Sequence, residues 1–152
     1  MRISAKADYA VRASIELAAA ERLTPIKGER VADAQKIPLR FLENILGELK
    51  HAGLVQSQRG AEGGYWLSRP AEEITLAQII RAVEGPLASM RGERPEDLEY
   101  RGAAKPLQVV WIALRANIRG VLESVTLADL VAGELPDELV ELTEGPDVWQ
   151  PH

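Results

Sequence analysis

Arg40, Glu43, Asn44 and Gly47 fall at i, i+3, i+4 and i+7, so on a helix they form one row. An apolar row with the same spacing, Leu42, Ile45, Leu46 and Leu49, lies on a different face. The polar types suit base edges in a major groove: arginine pairs with guanine, asparagine with adenine, and a carboxylate accepts from the cytosine amino group. Gly47 leaves room for close approach, at a helix-propensity cost of roughly 1 kcal/mol. A second group, Arg59-Gly60-Ala61-Glu62-Gly63, joins two short strand-like runs. There a guanidinium and free backbone amides can hold phosphate or enter the minor groove. Taken singly, such a row is a solvated helix face and such a hairpin a tight turn. Their order along the chain carries the information.

Other chemistry is absent or scattered. There are no cysteines, which removes disulfides, thiolate metal sites and cysteine nucleophiles. His51 and His152 are the only histidines and neither belongs to a cluster. His51 stands near a helix C-terminus, where a favourable dipole contact accounts for it. No Gly-Lys-Ser/Thr phosphate loop or Gly-x-Ser-x-Gly elbow occurs. Glu93, Glu96, Asp97 and Glu99 alternate with Arg91, Arg94 and Arg101, the pattern of a solvated loop rather than a divalent-ion site. No nucleophile and base set is visible, so the expectation is a protein that is not an enzyme, with no catalytic residue, metal or cofactor.

The elements that must position the two groups follow from periodicity and caps. Ser4 caps a helix running to about Arg22, with Val11, Ile15, Ala18 and Ala19 on one face. A break at Leu23-Thr24-Pro25-Ile26 precedes a short helix from Gly28 to Lys36, built around Val31, Ala32 and Ala34. Pro38 opens a third helix that ends near His51 and Gly53. Leu54 to Gln58 and Gly64 to Leu67 read as a hairpin. Thr75 caps a helix containing Leu76, Ile79, Ile80 and Val83, stopped by Gly85-Pro86. Residues 87–104 read as a long exposed loop. From Lys105-Pro106 a long helix reaches about Ser124, with Leu107, Val110, Trp111, Leu114, Ile118, Val121 and Leu122 as its apolar stripe and Val109 and Ile112 as a second edge. Thr126 caps a short helix through Val131. Trp66 and Trp111 are expected in the core or an interface. The fold class is therefore mainly α with a small β-hairpin wing, a winged helix-turn-helix plus a long helix. Residues 1–86 form the DNA-binding part, 87–104 the loop, 105–132 the long helix with its short successor, and 133–152 a peripheral tail with six acids and no Lys or Arg.

A length of 152 residues suits about one domain, and 46% hydrophobic residues suffice for a core. No apolar run nears the ~20 residues of a membrane span. The N-terminus lacks the apolar core of a secretion signal, and a cytoplasmic location is expected. The net charge of −5 conceals an asymmetry: residues 1–70 carry 11 Lys+Arg against 8 Asp+Glu, residues 71–152 carry 7 against 15. A mildly basic head on an acidic body is compatible with nucleic acid, because local charge sets the field at a face.

Several stretches resemble the Rrf2 family of bacterial regulators, the IscR-, NsrR- and CymR-like proteins. They are the opening from Met1 to Ala13, Ile37-Pro38-Leu39-Arg40-Phe41-Leu42-Glu43-Asn44-Ile45-Leu46, the wing from Gly53 to Tyr65, Glu73-Ile74-Thr75-Leu76 and Val83-Glu84-Gly85-Pro86. The likeness spans roughly residues 1–132. It implies a transcription regulator, a repressor by expectation, that binds a palindromic double-stranded operator as a homodimer. It implies that Pro38, Leu39, Arg40, Glu43 and Asn44 read the major groove, and that Arg59, Gly60, Gly64 and Tyr65 meet backbone or minor groove. The resemblance makes the long helix of 105–132 the dimerisation helix, crossing its partner through the stripe of Leu107, Val110, Trp111, Leu114, Ile118, Val121 and Leu122. Cluster-binding members carry cysteines before that helix, and residues 87–104 here have none, so a cysteine-ligated iron–sulfur cluster is not expected. Asp8 matches a position that can donate a non-cysteine ligand in some members, and is read here as structural. An effector, small molecule or protein, near the loop or long helix is one route of regulation; control by abundance is the other. The alternative from another class is a winged-helix protein-interaction module without DNA affinity.

Overall fold

The computed structural model describes residues 2–152. Helix α1 (Ala5–Ala19) opens on Ser4, whose hydroxyl accepts from the Ala7 amide at 3.0 Å. It is the central element, packed by α2 (Gly28–Gln35), α3 (Leu39–His51), α4 (Leu76–Glu84) and α6 (Leu127–Ala132). Its buried residues are Ala7, Ala10, Ala13, Ser14 and Leu17, not the face of Val11, Ile15, Ala18 and Ala19 read from the sequence. A helix approached on several sides needs small contact residues, so the alanines go inward and Val11 and Ile15 are left half-buried at the rim. Ser14 is accommodated because its hydroxyl donates to the Ala10 carbonyl at 2.7 Å.

In α3 the apolar row Leu42, Ile45, Leu46 and Leu49 is fully buried, as its spacing requires. Each such side chain contributes roughly 1.5–3 kcal/mol by leaving water. In α2, Val31 and Ala32 are buried whereas Ala34 is exposed. Lys36 turns the chain with φ +53° before Pro38 and α3.

Strands β1 (Val55–Gln58) and β2 (Gly64–Leu67) pair antiparallel, Val55 opposite Leu67 and Gln58 opposite Gly64. The hairpin is tied to the α1–α2 connection: Ile26 and Tyr65 exchange backbone hydrogen bonds of 2.9 and 2.8 Å. The built Cβ of an alanine at 64 would lie 2.6 Å from the Ile26 carbonyl carbon and oxygen, and at 63 it would lie 2.1 Å from the Gln58 oxygen. Both glycines are therefore required by close backbone approach.

Thr75 and Thr126 each head a capping box, with Gln78 and Asp129 as the reciprocal partners. The two helix starts are bound to each other, Leu76 N–H to the Val125 carbonyl and Leu127 N–H to that of Ile74, both at 3.0 Å. Leu127 is fully buried in the same core as α1. The chain thus leaves this core after α4, forms α5 (Leu107–Ser124), and returns through α6.

Residues 87–104 are more ordered than an exposed loop. Short 3-10 turns occupy 95–97 and 102–104, and Leu87, Pro95 and Leu98 are buried. Gln108 of α5 donates to the Leu98 and Glu96 carbonyls at 2.8 and 3.1 Å, and Trp111 Nε1 donates to the Tyr100 hydroxyl at 3.0 Å. The loop is aperiodic because α5, not its own repeat, supplies its partners. A last short helix, α7 (Asp137–Glu141), lies in the exposed tail.

Candidate nucleic-acid interface

Burial of one α3 row decides where the other points. Arg40, Glu43, Asn44 and Gly47 are all exposed, and a Cβ at Gly47 would meet nothing within 4 Å. Pro38 and Leu39, at the helix start, are exposed as well. Lys50, one turn further along α3, and Arg59, at the hairpin turn, are exposed too.

Tyr65 joins the wing to the two helices. A Cβ at Gly28, the first residue of α2, would lie 3.5 Å from Tyr65 Cε2 and 3.7 Å from Leu39 Cδ1, so that glycine sits beneath both side chains. Burial, and then the carboxylates of Glu43 and Glu29, push the Tyr65 phenol above its ordinary value of 10.0. It therefore stays a neutral hydroxyl, able to donate toward a phosphate.

Two lysines set the wing against the helices. Lys27 Nζ donates to the Gly60 carbonyl at 2.5 Å, and Lys50 Nζ donates to Ser57 Oγ at 2.8 Å. Sequence reading singled out neither lysine. The signal for Lys27 was only its place just before Gly28, at the cap of a helix, and nothing in the sequence announced Gly60 as its partner. Arg59 and Gly60 are exposed at the turn. Gly64 is buried against the Ile26 backbone, where a side chain would keep the wing from seating. The structure brings Leu39, Glu43 and Tyr65 into one neighbourhood and holds Arg59 and Gly60 at the far end of the hairpin.

Asp8, the other position of interest, is an ion-pair member: its Oδ2 lies 3.0 Å from Arg12 Nε, with an angle short of a good hydrogen bond. Arg12 also donates from Nη1 to the Gln35 carbonyl at 2.9 Å and lies over the Tyr9 ring at 4.9 Å. Tyr9 in turn meets the exposed Phe41 edge-on, with ring centroids 6.3 Å apart.

On α5 no residue is fully buried within the chain. Leu107, Trp111, Leu114, Ile118, Val121 and Leu122 are half-buried, and Val110 is 53% exposed. The opposite side of the helix carries Val109, 68% exposed, with Ile112, Ala113, Ala116 and Gly120, all exposed.

A buried three-helix core, a recognition-type helix with a free polar row and a glycine-seated hairpin define a winged helix-turn-helix transcription regulator that binds DNA. The chain belongs to the Rrf2 family, described as iron-dependent transcriptional regulators, which it matches over residues 3–133. It is 49% identical over 144 residues to the HTH-type protein Rv1287 of Mycobacterium tuberculosis, covering 95% of this chain and 89% of that one. It is 37% identical over 132 residues to the HTH-type transcriptional regulator CymR of Bacillus subtilis, covering 87% and 91%. The solved structure of B. subtilis CymR, the global cysteine regulator of that organism, is similar with a TM-score of 0.73 at 35% identity, over 88% of this chain and 98% of that one. IscR of T. potens gives 0.71 at 32% identity, over 88% of each. These relatives are regulators, not enzymes.

The family's iron dependence does not fit this chain's donor set. No cysteine exists to supply a thiolate, and among the described residues no group of three or more His, Asp or Glu stands ready for a metal ion. Among the described residues, no helix is long and apolar enough to cross a membrane.

Proposed function

We propose that the protein is a homodimeric repressor that binds a palindromic operator in the cytoplasm and works without a cysteine-ligated cluster. The observation that carries the reading is the division of α3: Leu42, Ile45, Leu46 and Leu49 are buried while Arg40, Glu43 and Asn44 are free beside the seated wing. In this reading Arg40, Glu43 and Asn44 select bases, Pro38 and Leu39 set the entry of the helix, and Arg59, Gly60 and Tyr65 meet the backbone or minor groove.

The dimer rests on α5. An 18-residue helix with no buried residue and exposed valine and isoleucine is unfinished as a monomer. Val109, Ile112, Ala113, Ala116 and Gly120 would form the centre of the contact, since small residues let two helices cross closely. Val110, between the two sides, would supply an edge, while the half-buried stripe from Leu107 to Leu122 faces away from this contact. Such a dimer sets two recognition helices about 34–36 Å apart, in successive major grooves. Repression follows from occluding a promoter.

The test is a titration of the purified protein against its own promoter region and an unrelated duplex at several salt concentrations. Preferential binding to the promoter is expected, with log K falling by about 0.9 per phosphate contact for each decade of salt. Equal, weak binding to both duplexes would reject the repressor and favour a module that binds another protein.

A further inference from the structure

Residues 71–152 contain seven cations among fifteen acids, yet four of the seven line one cavity. Arg81 of α4, Arg94 of the following segment, and Arg115 and Arg119 of α5 surround a volume of about 430 Å³ floored by Gly85, Pro86 and Leu87. A random placement in so acidic a region would give a negative cavity. Two carboxylates enter the cluster. Glu123 Oε1 accepts from Arg81 Nη2 at 2.6 Å and from Arg119 Nε at 3.1 Å, and Glu96 pairs with Arg115. Arg94 forms no salt bridge among the described residues, although its charge acts on Glu96, and its side chain is exposed at the cavity. Four guanidiniums thus face two carboxylates, leaving an uncompensated charge of +2. The first causes holding Glu96 below the ordinary carboxylate value are its own backbone N–H and then Arg115; for Glu123 they are Arg81 and then Arg119.

We propose that this cavity binds a compact polyanion carrying at least two carboxylate or phosphate groups. Arginine forks take either oxyanion by paired, charge-assisted hydrogen bonds, and three elements supply forks from different directions. Arg94 and Arg119 are the arms offered to a ligand, because Arg94 forms no salt bridge and Arg119 gives only its Nε to Glu123, which Arg81 also holds. The cavity also lies where α4, which packs on α1 and α3, meets α5, so an occupant touches both the wing-bearing core and the unfinished helix at once. The site goes beyond the operator-binding reading and does not depend on it.

Calorimetric titration of the full chain without DNA, at fixed ionic strength in chloride buffer, tests the site with sodium pyrophosphate and sodium citrate as probes. Saturable binding of one equivalent per chain is expected for at least one probe, and the tighter one tells phosphate from carboxylate. The double variant Arg94→Gln/Arg119→Gln changes exposed side chains and should keep the thermal midpoint while weakening that binding at least ten-fold. Arg22→Gln/Arg69→Gln removes the same charge elsewhere and should bind like the parent. Absence of saturable binding to both probes overturns the proposal, as does equal weakening in the two double variants.

Discussion

At the scale of single residues, the glycines of the wing are the sharpest test of how it is seated. Gly64→Ala places a methyl 2.6 Å from the Ile26 carbonyl, where neither backbone can give easily. Overpacking of this kind costs about 1–3 kcal/mol. The thermal midpoint should fall, and limited proteolysis should cut within 59–64 first. Gly60→Ala meets no atom within 4 Å but has φ +104°, so it should cost less and leave the Ile26 contact whole. Two arginines separate by role in the same way. Arg40→Ala should relax selectivity at one operator position at a cost of roughly 1–3 kcal/mol, whereas Arg59→Ala should weaken every duplex alike. An operator-mutant series showing uniform loss for Arg40→Ala would reject base reading by that residue. Tyr65 adds a pH signature. Its folded-state pKa is raised, chiefly by burial and then by Glu43 and Glu29, so its contribution is intact below pH 10.0, the ordinary value, and is lost as pH climbs through the raised value. The thermal midpoint between pH 9 and 12 should therefore drop more steeply in the parent than in Tyr65→Phe; parallel curves would remove the phenol from the account.

At the scale of elements, what was legible depended on whether a helix has one neighbour side or several. Helix α3 buries a single stripe, so its spacing alone separated core from free row, and every member fell where the period put it. The caps of α4 and α6 were equally plain, because Thr75 and Thr126 stand just before apolar runs. Helix α1 misled because it is packed from several sides, and the apolar size that marks a one-sided stripe there marks the rim. The segment 87–104 misled for the opposite reason: its burial of Leu87, Pro95 and Leu98 is imposed by α5, which no local pattern reveals. Nor could the sequence say that Lys27 clasps Gly60, a contact spanning 33 residues. For α5 the stripe was visible but not which side stays free; the contact proposed here lies on Val109, Ile112, Ala113 and Ala116. Ala113→Asp places a charge there at no cost to the half-buried side. It should shift the protein toward monomer in sedimentation at micromolar concentration while keeping its helical circular dichroism. An unchanged dimer would move the contact back to the Leu107–Leu122 stripe.

At the scale of the whole molecule, the charge asymmetry and the missing cysteines act on the same question, what sets operator affinity. The head that carries α3 and the wing holds 11 cations against 8 acids, and the remainder holds 7 against 15. The acidic body repels DNA and so favours approach by the head, a steering effect that salt removes along with the phosphate contacts. The family is described as iron-dependent, yet the segment before α5 offers Glu, Asp and Arg and no thiolate. Operator binding should then be indifferent to iron. Titrations of protein purified in air, of protein treated with a strong iron chelator, and of protein incubated anaerobically with ferrous iron and sulfide should superimpose at each salt concentration. A shift of ten-fold or more between the chelated and iron-treated samples would show a metal-dependent affinity built from oxygen and nitrogen donors alone. Superposition, with the salt slope unchanged, would place control of this regulator in some interaction other than a cluster, and the arginine-lined cavity between α4 and α5 is where this chain has concentrated the charge to make one.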